Sequence, residues 1–470
     1  MLITTAVWGA WHTDIHLNVN LPTLLAEGNL PALADDFRVR YRIYTRKEDY
    51  ETLDFHPAVE ALRDAHIQVE FELMPPEILK DPIAAHHFAW NEATKSAKER
   101  GEYLLLMPPD VAWAGRSFVS VAERVKRGEK AVFMTYLRTD DAGFLPEIRA
   151  RRGDDLILDV SQEDMVGICM RHLHPLMAAS FRDSDFFPIH PEMILWPVPG
   201  EGVAVRVLAR EMFLFDPSWF DLNKAALPDR RFEPGEASFI TDSDELFAVS
   251  FAEVGKDVQW HILPKRAEPM EIAPWWLTYD SRSNDFMAAQ KIRWHFKPVT
   301  ERAWRQVEAG ADLWVRRIAA VREGLRIWQV AQTRGCRKAG EVLSVLINTG
   351  AVARAIGRRD DAIIFLPRDA AFGSENGERV EQALEECDVK TLVEVARHQI
   401  ISMPGAWSGS QDPLDMALDD AASRQLAVDG RSMRLVRMSD GTIRINDIKI
   451  LSKPIRAGSS VVYVVEELFA

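Results

Sequence analysis

Asp110 stands behind Pro108 and Pro109 at the end of a short apolar run, Tyr103-Leu104-Leu105-Leu106-Met107. A carboxylate at the end of a buried strand can hold a hard divalent cation, Mg2+ or Mn2+, against phosphate oxygens. One carboxylate does so weakly unless phosphates or further acids complete the shell, and an Asp in this place also caps the segment that follows. A second acidic group, Asp242-Ser243-Asp244-Glu245, follows the strand-like Phe239-Ile240-Thr241. Asp242 or Asp244 would add a metal ligand or act as a base on an acceptor hydroxyl. Acids so placed also complement the dipole of a helix that starts there. The third candidate is the loop Phe187–Arg206, where His190, Glu192, Trp196, Glu201 and Arg206 offer a base, acids, a stacking surface and a phosphate-binding cation. Its prolines and glycines hold the backbone in turns, as site loops require. Upstream, Arg171-His172-Leu173-His174 either faces the same cleft or ends a helix with solvated basic groups.

The elements that must position these groups alternate. Leu2–Val7 is a buried strand, Leu21–Leu33 suits a helix, and Val39–Tyr44 alternates as a strand. His56–Ala65 is helical with Pro57 near its start, and Ile67–Leu73 is a third strand of period two. Asp81–Lys98 reads as a helix and Tyr103–Met107 as a fourth strand; Lys130–Tyr136 adds a strand and Ser161–Ala178 a helix. Strands separated by helices predict a parallel sheet with helices on its faces. Ligands bind beyond the carboxyl ends of such strands. Asp110 lies at one such end, and Trp8, Gly9, His12 and Asp14 lie at another. Glu301–Thr333 is one long amphipathic helical stretch, followed by a composition break at Arg334-Gly335-Cys336.

The run His87–Met107, HFAWNEATKSAKERGEYLLLM, with Pro108-Pro109-Asp110 after it, resembles the centre of GT-A, family 2-like glycosyltransferases. That resemblance implies a Rossmann-like mixed α/β sheet. It also implies transfer of a sugar from a UDP- or GDP-linked donor to an acceptor, which the sequence leaves open as a glycan, protein or small molecule. The leaving diphosphate gathers negative charge that must be stabilised, in this family by Mn2+ or Mg2+ on an Asp-x-Asp motif. Pro108 takes the place of the first Asp and Asp110 that of the second, so Asp110 is the expected metal ligand. Asn91 falls within the matching run. Trp8, Gly9 and His12 fall where the family holds nucleobase and ribose, and Arg206 is a cation for the diphosphate. Asp242, Asp244, Glu201 and His190 are the expected catalytic residues. The missing first acid keeps open a rival: a non-catalytic protein of the same fold that binds sugars or nucleotides, or serves as a scaffold.

From about Lys338 the chain resembles a fasciclin domain. Glu341–Gly373 matches the opening helices and first box, with Ile364–Phe372 (IFLPRDAAF) as its core. Thr391–Ile401 matches the helix before the "yHvv" segment, with His398 in the His place, where a buried structural histidine is expected. Leu426–Phe469 carries the closing strands, departing from the family at Ala457-Gly458-Ser459-Ser460, where many members have an Asn-Gly turn. The resemblance implies an α+β module for protein contacts or self-association. The expected order is a GT-A-like domain over residues 1–270, a helical connector over 271–335 and a fasciclin-like domain over 336–470, a bacterial-type fusion.

Length supports this division, since 470 residues exceed one ordinary core. A formal charge of −14 argues against a broad nucleic-acid surface. Three widely spaced cysteines suggest a reducing compartment. The start, MLITTAVWGAWHTDIHLN, lacks a basic signal region, and no apolar run approaches the ~20 residues of a membrane span, so a cytoplasmic location is expected. No P-loop, Gly-x-Gly-x-x-Gly, nucleophile elbow or Cys/His zinc spacing occurs, which leaves kinase, dehydrogenase, hydrolase and zinc-enzyme readings without support.

Overall fold

The computed structural model describes residues 1–153, 156–208, 212–221, 227, 229–255, 258–279, 281–356, 362–402, 412–418, 423–428, 431–458 and 460–469. The chain forms two compact units: Met1–Ala267 with Ser281–Ala311, and Glu268–Asp280 with Asp312–Ala470. The expected connector is thus shared between them, and the single helix Glu301–Thr333 supplies residues to both.

In the first unit the strands are β1 (Leu2–Ala6), β2 (Arg40–Thr45), β3 (Gln68–Leu73), β4 (Leu104–Leu106), β5 (Val111–Trp113), β6 (Ala131–Phe133) and β7 (Leu137–Asp140). They continue as β8 (Met193–Val198), β9 (Gly202–Val207), β10 (Leu214–Phe215), β11 (Ala237–Phe239), β12 (Ala248–Ala252) and β13 (Ile292–His295). The main sheet has seven strands in the order β11-β6-β10-β4-β1-β2-β3. β1 pairs in parallel with β2 on one side and β4 on the other, Leu2 facing Arg40 and Leu104. Only β10 runs against the rest, antiparallel to both β4 and β6. Two three-stranded sheets, β13-β9-β8 and β5-β12-β7, complete the described strands of this unit beside a short two-stranded pair.

Successive side chains of a strand point to opposite faces. Leu104 and Leu106 therefore enter the core on one face, and Leu105 the core on the other. The first face is covered by helix Pro82–Arg100, whose Ala85, Ala89, Ala93 and Ala97 recur every fourth residue and are buried. Small side chains at that spacing let the helix lie close to the sheet. Asp81 caps this helix by accepting the Ile83 and Ala84 N–H groups, and Gly101 ends it in the left-handed conformation.

A buried charge network ties the edge of the sheet to this helix. Arg40, 1% exposed, reaches Glu70 at 3.0 Å and Glu102 at 2.5 Å. Arg42, two residues on and so on the same face, reaches Glu70 at 2.8 Å and donates to Ser96 Oγ at 3.1 Å.

Three sequence expectations change form. Leu21–Leu33 is two short helices, Leu21–Leu24 and Leu30–Asp36. Buried Asn29 splits them because its amide serves the backbone, donating to Thr23 O and Ala114 O and accepting from Ser117 N–H. Ser161–Ala178 is likewise two helices, Gln162–Arg171 and Pro175–Ala179, since Pro175 bars the helical conformation in the residue before it. The expected loop Phe187–Arg206 is largely the β8–β9 hairpin, with Pro197 tolerated because β8 is an edge strand.

The second unit is α+β. Strands Ile400–Ser402, Ala362–Pro367, Ser460–Val465 and Ile455–Ala457 form one sheet in that order, and Ser423–Val428, Arg431–Arg437, Ile443–Ile445 and Ile448–Lys449 form a four-stranded antiparallel sheet. Ile363, Phe365, Leu435 and Tyr463 lie in its core. His398, expected to be buried, is exposed. Its neighbour Gln399 is buried instead, donating to Phe469 O and accepting from Phe469 N–H at 3.2 and 3.4 Å. Ser459, in the turn that departs from the fasciclin pattern, lies outside the described residues. The whole is an α/β Rossmann-like domain with a C-terminal α+β region.

Two stability predictions follow from this packing. Arg40→Ala leaves Glu70 and Glu102 without their buried partner and should cost about 3 kcal/mol in urea unfolding. Arg42→Ala, which leaves Arg40 on Glu70, should cost less, and equal costs would contradict the network. His16, in a π-helical turn His16–Asn20 and stacked on Tyr41, is fully buried, and burial lowers its pKa to about 3. A depressed histidine pKa gives stability that is complete above ~6.5, the unfolded value, and is lost as pH falls toward about 3. Relative to His16→Phe, the native chain should lose up to ~1.4 kcal/mol per pH unit in that window; parallel stability curves would refute this.

Candidate functional site

β1, β2, β3, β4, β6 and β11 run the same way, so their carboxyl ends share one edge of the sheet. The residues that follow them are Trp8 to His12 after β1, Arg46 and Asp49 after β2, Asp110 after β4, and Asp242 and Asp244 after β11.

The turn after β1 is built around Gly9. Its φ of 82° suits glycine, and the space a side chain would fill is open, so the demand is conformational. Gly9 N–H donates to Asp49 Oδ2 at 2.6 Å, and Asp49 in turn is held by Arg46 at 2.6 Å. This places Trp8 beside two imidazoles: His12, stacked at 6.3 Å, and His86, tilted at 5.4 Å. Trp11, 37% exposed, meets the edge of His12 at 4.7 Å. Asp110 is the acid of this group. Burial raises its carboxyl pKa, with His12, Arg138 and His86 as the charged neighbours that oppose the rise. The result is a cluster of aromatic rings around one acid, suited to a flat ring; Arg138 is its permanent cation, and burial lowers the His12 pKa and so favours the neutral imidazole.

A second cluster gathers at the other end of the same edge. His295, at the end of β13, brings Nε2 to 3.0 Å from Asp242 Oδ1 and 3.4 Å from Asp244 Oδ1. Its Nδ1 lies 3.0 Å from Lys297 O, which orients the ring, and its N–H donates to Ser243 Oγ. The acids do not open a helix, as the sequence suggested. They sit on a turn, because Asp242 Oδ1 accepts Asp244 N–H and its carbonyl accepts Glu245 N–H. Glu201, at the tip of the β8–β9 hairpin, joins this neighbourhood: its Oε2 accepts from Thr300 N–H at 2.7 Å and from Trp304 Nε1 at 2.9 Å. The Trp304 ring meets His295 edge-on at 6.3 Å. The hydrogen bond to Asp242 raises the His295 pKa above its ordinary value. Burial penalises charged Asp242, yet the His295 hydrogen bond and the Asp244 N–H outweigh it and lower the Asp242 pKa.

Asp242, Asp244 and His295 offer three ligand atoms within 4.8 Å of one another, and are the group of this kind found among the described residues. Two carboxylate oxygens suit a hard divalent cation such as Mn2+, which also accepts one imidazole nitrogen. Asp110 does not belong to this group. Three strand positions separate β11 from β4, roughly 14 Å at ~4.8 Å per strand, too far for short Asp side chains to share an ion. The expectation that Asp242 or Asp244 completes a shell around Asp110 is therefore not met.

The remaining predicted residues lie elsewhere. Asn91 is half-buried on helix Pro82–Arg100. His190 is exposed at the turn before β8, its carbonyl accepting Glu192 N–H. Arg206 is 1% exposed on β9, donating to Val205 O, so it faces no open cleft. Glu192 is exposed and Trp196 is buried. Asp14 pairs with Arg149 on the surface. His172 pairs with Glu147, and His174 caps the short helix after it. Three contributors went unread in the sequence: His86, Arg138 and His295. His295 closes the alternating run Ile292-Arg293-Trp294-His295, and that strand signal was there to be seen.

No family model matches this chain, and no curated protein matches it. A solved structure described as a glucose-1-phosphate thymidylyltransferase from Bacillus anthracis, in complex with a sucrose, is similar at 13% identity. The match covers 31% of this chain and 57% of that one, with a TM-score of 0.22.

The His295 pair gives a direct check. A raised histidine pKa means the pair stabilises fully below ~6.5 and is lost as pH rises through the folded-state midpoint. Asp242→Asn should lower the His295 midpoint followed by imidazole NMR; an unchanged midpoint would show that Asp242 is not its partner.

Proposed function

We propose that the first unit binds a nucleotide sugar along the carboxyl edge of its sheet and transfers the sugar to an acceptor. The observation that carries this reading is the gathering of Trp8 and His12 with His86 and Asp110, from distant parts of the chain, in one cluster. Trp8 offers its indole face to the nucleobase. Arg138 supplies positive charge for the leaving diphosphate, and the His12 and His86 imidazoles offer it N–H donors. An extended donor then points its sugar toward the Asp242, Asp244 and Glu201 end. In this reading Asp244, 65% exposed in its side chain, acts as the base on the acceptor hydroxyl. A divalent cation, when bound, would be held by Asp242, Asp244 and His295 and would add charge stabilisation. Among the described residues no helix is long and apolar enough to cross a membrane. The fasciclin-like resemblance of the second unit suggests protein contacts or self-association, and the proposed domains remain residues 1–270 and 336–470.

A second reading, binding without catalysis, is favoured by Asp110, a single acid whose pKa burial raises where the family pattern has an acid pair. Calorimetry with UDP-glucose and GDP-mannose, with and without Mn2+, separates these readings when paired with an assay for released UDP or GDP. The transferase reading expects binding that weakens at least tenfold in Trp8→Ala, with Mn2+ enhancement lost in His295→Ala and kept in Asp110→Ala. Binding without turnover would establish the second reading, and no binding of either donor would overturn both.

A further inference from the structure

The second unit contains a recess of about 710 Å³ whose described lining includes two arginines, Arg326 and Arg456, and no acid. Arg456 presents an exposed charge there, and the charge of Arg326 is matched by Glu323. Both guanidinium groups are gathered on one turn. Arg326, with its side chain 6% exposed, is held by Glu323 at 2.6 Å and lies flat against Gly458. A Cβ at position 458 would stand 2.1 Å from Arg326 Nη1, and the φ there is +62°. Glycine is therefore required at 458 both for the backbone and for the arginine. Arg456 Nε donates to Gly458 O at 3.2 Å. Behind this wall Arg322 stacks on the Trp276 ring at 3.8 Å. The facing wall is of another kind, with Leu277, Leu325 and Trp328.

We propose that this recess binds a compact organic oxyanion with a ring-shaped body. The phosphate or carboxylate lies on Arg326 and Arg456, and the ring lies against Trp328 and Leu277. The guanidinium fork matches either oxyanion. The volume falls within the range of small-molecule sites, which pair apolar walls with a few placed polar groups. An indole face suits the body of a sugar or aromatic ring. The site draws on the second unit alone and does not depend on the donor reading above.

Calorimetry on the full chain tests it with three probes: glucose 6-phosphate, glucuronate and inorganic phosphate. Saturable binding of glucose 6-phosphate or glucuronate is expected, and the tighter of the two identifies the head group. Arg456→Glu reverses an exposed charge and should weaken binding at least tenfold. Leu277→Trp fills the recess and should do the same, while Asp242→Ala leaves it unchanged. Both recess variants are checked for an unaltered thermal midpoint. The proposal is overturned if neither organic probe binds saturably or if well-folded Arg456→Glu binds as the native chain does. Inorganic phosphate binding as tightly as glucose 6-phosphate would overturn the ring-bearing ligand.

Discussion

The position of β1 governs this protein. Its five residues are all buried, and it pairs in parallel with a neighbour on each side. A central parallel strand obliges the chain to cross over and return in the same direction, and the crossovers bring helices onto the faces. Every loop that leaves such a strand opens on one edge. Residues separated by a hundred positions then become neighbours without any local signal that they should. Trp8, His86 and Asp110 meet for this reason, whereas Asp242 meets His295 through a bridge to Arg293 on β13 of a separate sheet.

That constraint explains what could be read from the sequence. Buried strands and alternating faces leave direct marks, so β1, β2 and β4 and the helix over Pro82–Arg100 were visible as apolar or alternating runs and the polar helical stretch between them. The long helix Glu301–Thr333 was legible to its ends, because its apolar positions recur at helical spacing. Side-chain choices between backbone and core were not legible. Asn29 divides a predicted helix by hydrogen-bonding three backbone groups, which no periodicity records. Of the site residues, those directly after a strand were found and those reached through tertiary packing were not. His86 looks like any polar residue of an exposed helix, and Arg206 looked free because its burial follows from the pairing of β9 on both sides.

β10 bears on the shape of any ligand. Without this reversed strand, β4 and β6 would be adjacent, as in a simpler parallel sheet. Its insertion moves the Asp242 cluster one strand further from Asp110. A compact molecule can touch one cluster, and only an extended one can touch both.

Gln399 shows how the second unit guards its chain end. The amide grips Phe469 through both its donor and its acceptor. An imidazole, such as the neighbouring His398 could have offered, would change its donor count with a single proton. An amide keeps one pattern at every acidity a cell experiences. The last strand, Ser460–Val465, runs beside Ala362–Pro367 in the middle of its sheet, so the C-terminal seam is latched by a group that carries no charge to gain or lose.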